Sequence, residues 1–123
     1  MAHKVVWFDI PVLDLDRAIH FYAAVLDQSV HRQEFPGGGA IGVIDHGSGD
    51  VAGCLYADPD FTPSAQGPLL YLNADGRLDA AIRAVEENGG RVLEPAHPIG
   101  PHGFRAVALD SEGNRVALHS QTG

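Results

Sequence analysis

One pattern occurs twice in this chain: an apolar strand that leads directly into an amphipathic helix. In the first copy, residues 5–12 are mostly β-branched, aromatic or apolar, and residues 14–26 form a helix with one buried stripe. In the second copy, the strand is 69–74 and the helix 78–88, followed by a glycine pair that ends it. A repeat of roughly sixty residues is too long for a solenoid unit, so it predicts a duplicated half-domain.

Each predicted helix is followed by three short strands. They lie at 29–35, 40–44 and 51–57 in the first half and at 91–94, 104–109 and 115–120 in the second. Residues 58–67 contain two prolines and several small polar residues, which is typical of a linker. The predicted fold class is therefore α+β, with two tandem βαβββ modules at about 3–57 and 68–121 in a single domain, 1–123.

Composition and charge exclude several classes of function. The chain has 123 residues, of which 45% are hydrophobic and 20% charged, as expected for one globular domain. Its net charge is −8, and its few basic residues are scattered, which argues against nucleic-acid or anionic-membrane partners. The same charge favours a cationic or neutral ligand over an anionic one.

The cellular location is predicted from three further observations. The single cysteine, Cys54, rules out an internal disulfide bond and fits a reducing compartment. The N-terminal residues enter a strand pattern directly, without an apolar signal segment. No apolar run approaches the length of a membrane span. These observations predict a soluble cytoplasmic protein.

Alternation along the first strand of each module defines two faces. Phe8 and every second residue after it point toward the helix, so their neighbours point away from it. We call the face that points away from the helix the inner face. Its predicted residues are Trp7, Asp9 and Pro11 in the first module and Leu69, Tyr71 and Asn73 in the second.

Several segments resemble the vicinal oxygen chelate superfamily, which includes glyoxalase I, extradiol dioxygenases and bleomycin-resistance proteins. They are the helix start at 14–22, the turn at 110–114, and the segments 6–12, 71–73, 98–100 and 113–120. The pattern is most similar to glyoxalase-like proteins described as related to lactoylglutathione lyase. The resemblance implies a cupped half-barrel formed by the two modules, with the site on their inner faces, and a homodimer.

The resemblance also implies where a metal cofactor would bind. Enzymes of this superfamily hold a divalent ion with His, Glu or Gln side chains from the first and last strands of each module. The aligned positions in this sequence are Trp7, Gly53, Leu69 and Ala117, and none can coordinate a metal. The expected cofactor is therefore none. The alignment argues against a conventional glyoxalase I, whose ion polarises substrate oxygens.

Two side chains of the first strand are candidate site residues. Asp9 places a carboxylate on the inner face, where it must be solvated, paired or used. We predict that it binds the ligand or acts as a catalytic base. The alternatives are an ion pair with Arg105 or Arg115, or simple exposure to solvent in the open cup. Trp7 is a flat apolar wall suited to a planar ligand, or it fills the space that a metal would occupy.

Further ligand-binding candidates lie in the second module. Tyr71 and Asn73 can hydrogen-bond a ligand or form a polar network between modules. Phe104 follows the loop 97–103 and could close the cavity. His119 could donate or accept a hydrogen bond at the rim, or remain a solvated side chain.

Two other features favour structural interpretations. His97 and His102 are too few to indicate zinc, and their segment is predicted to be an ordinary surface loop. Cys54 follows Gly53 on its strand and is predicted to face the helix as a small buried residue.

The sequence is compatible with three functions. The first is a protein that binds a small molecule in the cup between its modules, without the usual metal. The second is a glyoxalase-like lyase or dioxygenase with a non-standard metal site. The third is an interaction module whose cavity is closed by side chains such as Trp7. The fold does not choose among them.

Overall fold

The computed structural model describes residues 3–123, and in them the same order of elements occurs twice. The first module contains β1 (Trp7–Pro11), α1 (Leu15–Leu26), β2 (Val30–Glu34), β3 (Ala40–Ile44) and β4 (Ala52–Tyr56). The second contains β5 (Leu70–Asn73), α2 (Leu78–Glu87), β6 (Arg91–Pro98), β7 (Phe104–Leu109) and β8 (Arg115–Ser120). The α+β fold with two tandem βαβββ modules is therefore confirmed.

Each module contributes one four-stranded sheet. The strand orders are β1-β4-β3-β2 and β5-β8-β7-β6, so the two sheets have the same topology. In both sheets the first and last strands of the module pair in parallel, and the remaining pairs are antiparallel. This pairing places β1 beside β4 and β5 beside β8, which aligns their side chains on common faces.

Strand β6 is longer than the sequence pattern indicates. It was expected to end at Glu94, but it continues to Pro98 and is followed by a short 3₁₀ turn at Gly100–His102. Its register with β7 is irregular on both sides of Glu94, and one irregularity spans Pro95. A bulge accommodates a proline because the bulged residue does not pair across the ladder. The predicted loop 97–103 therefore begins within a strand.

One hydrophobic core is shared by both modules. The two helices pack against each other and against the helix-facing sides of both sheets. The buried helical residues are Ala18, Phe21, Tyr22 and Val25 of α1 and Leu78, Ala81, Ala84 and Val85 of α2. Burial of each larger side chain contributes about 1.5–3 kcal/mol. Because this core uses the helix side of each sheet, only the inner faces remain open.

The turn between β7 and β8 ties the second module to the start of α1. The carboxylate of Glu112 accepts hydrogen bonds at 2.8 Å from the backbone N–H groups of Leu13 and Asp14. Arg17 donates to the same carboxylate at 2.7 and 2.8 Å. Burial raises the pKa of Glu112, but the hydrogen bonds outweigh this effect and lower it to about 2.

Asp110 forms a second link from the same turn. The buried hydroxyl of Tyr22 on α1 donates to its Oδ2 atom at 2.5 Å, and burial raises the pKa of Tyr22 well above its usual range. Asn114 donates to the backbone oxygen of Pro11 at 2.7 Å. The turn 110–114, one of the segments that carries the family resemblance, therefore joins the two modules.

The structure also bears on membrane association. Within residues 3–123, neither helix is long and apolar enough to cross a membrane.

Candidate functional site

The inner faces of the two modules are open to solvent in the single chain. Trp7 is 45% exposed and Tyr71 is 47% exposed, although buried residues such as Ala52 and Ala117 lie in the same sheets. Large exposed aromatic side chains beside small buried residues are typical of surfaces that contact a ligand or a partner. The candidate site is therefore built from these faces.

On the inner face of module one, two side chains donate hydrogen bonds to the same carboxylate oxygen. Trp7 donates its indole N–H to Oδ1 of Asp9 at 2.8 Å, and the Cys54 thiol donates to the same oxygen at 3.2 Å. The structure thus brings together two residues predicted from the sequence. The alternative ion pair of Asp9 with an arginine is not formed, because Arg105 and Arg115 approach Glu94 instead.

The predicted orientation of Cys54 is wrong. Cys54 pairs with Asp9 across the parallel ladder and shares its inner face, whereas Gly53 pairs with Phe8. A Cβ atom on Gly53 would lie 2.3 Å from the Phe8 ring, which places Gly53 on the helix side. The prediction that Cys54 is buried is confirmed, with 4% exposure.

This correction changes one of the four positions aligned with metal ligands. The alignment matched Gly53 with Ala117, but Cys54 is the residue that occupies the inner face of β4. The corrected set is therefore Trp7, Cys54, Leu69 and Ala117. Burial and the bond to Asp9 raise the pKa of Cys54 to about 12, so its thiol is protonated at neutral pH, whereas metals bind the thiolate.

The donors of one chain do not fit the divalent metal of the superfamily. Among residues 3–123, no three or more His, Cys, Asp or Glu side chains are placed to share an ion. Asp9 and Cys54 supply at most two donors, fewer than the three protein ligands of a typical catalytic zinc site. Metal-independent binding remains a prediction.

The contact with Asp9 has a consequence for thiol reactivity. Asp9→Asn is expected to raise the rate of Cys54 alkylation by iodoacetamide at pH 8 about tenfold, because removal of the nearby carboxylate lowers the pKa of the thiol. The rate is followed by mass spectrometry, with Asp45→Asn as the control. Equal rates in both variants would show that Asp9 does not control this thiol.

On the inner face of module two, Arg105 is the centre of a polar network. Its Nε atom donates to Nε2 of His97 at 3.1 Å, and Nη1 donates to the Tyr71 hydroxyl at 2.6 Å. Nη2 atoms of Arg105 and Arg115 each lie 3.7 Å from a different carboxylate oxygen of Glu94. Sequence reasoning missed this network because β6, which carries Glu94 and His97, was predicted to end too early.

The other three candidates have different surroundings. Asn73 accepts a hydrogen bond at 2.9 Å from the backbone of Asp75 and shapes the turn before α2. Phe104 packs against the hydrophobic core and is not on the inner face, which is occupied by its neighbour Arg105. His119 lies beside Tyr71 with 6.3 Å between ring centroids, and its Nε2–H donates to the backbone oxygen of His102 at 2.6 Å.

Two open clefts lie between the modules. The larger has a volume of about 830 Å³ and includes Tyr71 and Asn73 in its lining. The smaller, about 280 Å³, includes both Asp9 and Arg115. Phe8 and Leu70 line both clefts. Among residues 3–123, no hydrogen bond joins the Asp9 cluster to the Arg105 network. One chain therefore holds two clusters that are not joined by hydrogen bonds, although Asp9 and Arg115 line the same smaller cleft.

Known proteins share this fold over almost its whole length. The structure aligns with a glyoxalase/bleomycin resistance protein from Albidiferax ferrireducens T118 at a TM-score of 0.76 and 18% identity, covering 96% of this chain and 98% of the other. A glyoxalase/bleomycin resistance protein from Streptomyces sp. CB03234 aligns at a TM-score of 0.66 and 26% identity, covering 94% and 99%. The trypanothione-dependent glyoxalase I of Leishmania major aligns at 0.69 and 17% identity, covering 98% and 88%.

Sequence comparisons agree with the fold. A glyoxylase-like domain-containing protein of Didymella fabae is 30% identical in an alignment 122 residues long, which covers 94% of this chain and 91% of that protein. The family profile described as the Glyoxalase/Bleomycin resistance protein/Dioxygenase superfamily matches residues 4–118. The chain therefore belongs to the glyoxalase/bleomycin resistance protein/dioxygenase superfamily, the vicinal oxygen chelate group.

Proposed function

We propose that this protein binds a small molecule against its inner faces, without the usual metal, in a site that a second copy completes. The observation that carries the proposal is the exposure of Trp7 and Tyr71, at 45% and 47%, on sheets whose opposite sides are fully packed. Aromatic walls with a few convergent polar groups are typical of small-molecule sites. Asp9 and Arg105 supply such groups, one on each face.

The proposed second copy follows from the arrangement of the modules. The shared core occupies the helix sides of both sheets, and the two inner-face clusters have no hydrogen bond between them in the described chain. Two-fold pairing could bring the module-one face of one copy against the module-two face of its partner, forming two equivalent cups. Pairing two module-two faces would instead oppose like-charged guanidinium groups, which is unfavourable.

A metal-dependent lyase or dioxygenase is the second candidate. It is favoured by one observation: a carboxylate and a thiol, from Asp9 and Cys54, meet on the first and last strands of module one. Those strands carry metal ligands in this superfamily. Such a site would need further donors from the second copy, because one described chain has too few.

Calorimetric screening before and after treatment with a chelator separates the two candidates. Single-ring aromatic compounds of each charge type form the panel. We expect at least one compound to bind chelator-treated protein, with about tenfold weaker binding to Tyr71→Ala because an aromatic contact is lost. Phe35→Ala, at an exposed aromatic residue that lines neither cleft, is the control.

Two outcomes would contradict the proposal. Binding that disappears with the chelator and returns with one metal ion per chain would favour the enzyme. Failure of every compound to bind would favour an interaction module.

A further inference from the structure

The inner face of module two carries a local excess of positive charge in an acidic protein. The whole chain has a net charge of −8, but here two guanidinium groups, of Arg105 and Arg115, face the single carboxylate of Glu94. Each guanidinium lies 3.7 Å from that carboxylate, beyond hydrogen-bond distance. Glu94 therefore offsets only one of the two charges at close range. Asp9 lines the same smaller cleft as Arg115, but among residues 3–123 no ion pair joins these two side chains.

Arg105 is held in place by its neighbours. His97 accepts from its Nε atom and Tyr71 from its Nη1 atom, and its guanidinium carbon lies 5.9 Å from the centroid of the Tyr71 ring. Nδ1 of His97 donates to the backbone oxygen of Pro95 at 2.8 Å, which leaves Nε2 free to accept. A guanidinium fixed in this way loses little further conformational entropy when it binds a ligand.

The two arginines also retain unused donors. Among residues 3–123, Nη2 of Arg105 and the whole guanidinium of Arg115 have no hydrogen-bond acceptor within reach. Their side chains are 23% and 37% exposed, so the donors are accessible from the inner face. Paired N–H groups of a guanidinium match the oxygens of a carboxylate or phosphate, and such charge-assisted bonds are stronger than neutral ones.

We infer that the ligand is an organic oxyanion and that Arg105 binds its carboxylate or phosphate group, with Tyr71 beside it. This inference rests on the proposed function and specifies the ligand class. It reverses the expectation from net charge, because the two partly buried arginines would contact the anion directly, whereas solvent and salt screen the effect of distant surface carboxylates. Arg115 contributes the second positive charge.

The test uses three probes of similar size with different charge. Benzoate, phenyl phosphate and neutral benzyl alcohol are titrated calorimetrically into the full chain. We expect both anions to bind more tightly than the alcohol, and the ratio of their affinities identifies the preferred group. Arg105→Gln is expected to weaken anion binding at least tenfold, with little change for the alcohol, because a charge-assisted hydrogen bond is lost.

Matched variants separate local from general effects of charge. Arg83→Gln removes the same charge from the exposed face of α2 and should leave all three affinities unchanged. Arg105→Lys keeps the charge but removes the planar fork, so its anion affinity should fall between wild type and Arg105→Gln. If Arg105→Gln does not fold, as judged by circular dichroism, Arg105→Lys and Arg115→Gln provide the comparison.

The outcomes distinguish this inference from the proposed function. Equal affinities for benzoate and benzyl alcohol, or anion binding that is unchanged in the arginine variants, would overturn the oxyanion assignment and leave small-molecule binding intact. Failure of benzoate and phenyl phosphate to bind the wild-type protein would overturn it as well. In this titration, the proposed function would fall as well if neutral and cationic compounds also failed to bind.

Discussion

Replacement of Glu112 by alanine is expected to lower the free energy of unfolding by about 3 kcal/mol, because it removes a buried carboxylate that accepts several hydrogen bonds and leaves backbone donors unsatisfied. The carboxylate accepts hydrogen bonds from Leu13, Asp14 and Arg17, and its side chain is fully buried. Urea denaturation measures the change. Glu87→Ala, at an exposed position on α2, is the control and should change stability by less than about 0.5 kcal/mol.

The same carboxylate predicts a pH dependence. The pKa of Glu112 is lowered in the folded chain to about 2 from a usual value of 4.5, so its stabilising effect is complete above pH 4.5. As the pH falls from there through 2, the carboxylate is protonated in the folded state and the stabilisation is lost. Wild type should therefore lose more stability than Glu112→Gln in this range. Parallel stability curves for the two proteins would contradict this role of Glu112.

Replacement of Gly53 by alanine is expected to destabilise the fold by about 2 kcal/mol, because the added methyl group overpacks a core position. The new Cβ atom would lie 2.3–2.6 Å from three carbons of the Phe8 ring, so the ring or the strand must move. Gly37→Ala is the matched control, since a Cβ atom there meets nothing within 4 Å. Thermal and urea unfolding measure both variants.

A double variant tests the cause of this effect. Phe8→Leu shortens the side chain that blocks the site, so Gly53→Ala should cost less in that background than in wild type. If Gly53→Ala destabilised the protein no more than Gly37→Ala, we would conclude that Gly53 faces the inner side of the sheet. The sequence-based assignment of Gly53 and Cys54 to the two faces would then be restored.

The fold was predictable because two different periodicities occur twice in the same order. Alternation and helical spacing identified the elements, and the bounds of β3, β7 and β8 agree with the structure. The end of β6 was missed because Pro95 breaks the strand pattern, and only pairing with β7 shows that the strand resumes. A proline signals a bulge as readily as a loop in a single sequence.

The site was less predictable because it depends on contacts between strands. Trp7 and Asp9 are two residues apart on one strand, so alternation alone placed them on the same face. The side of the sheet to which Cys54 points depends on the register of β4 against β1, because a shift of one residue moves every side chain of a strand to the opposite face. The Arg105 network likewise depends on the register of β6, which no local pattern specifies.

We propose that each binding site combines the module-one inner face of one copy with the module-two inner face of its partner. Mixing Trp7→Ala with Tyr71→Ala tests it most directly, using calorimetry with the tightest compound from the screen. Each variant alone has one damaged face in every cup, but a mixed pair has one cup with both faces intact.

After equal mixing and exchange of subunits, we expect high-affinity binding to return at about one site for every four chains. A mixture that binds no better than the separate variants would contradict a site shared between copies.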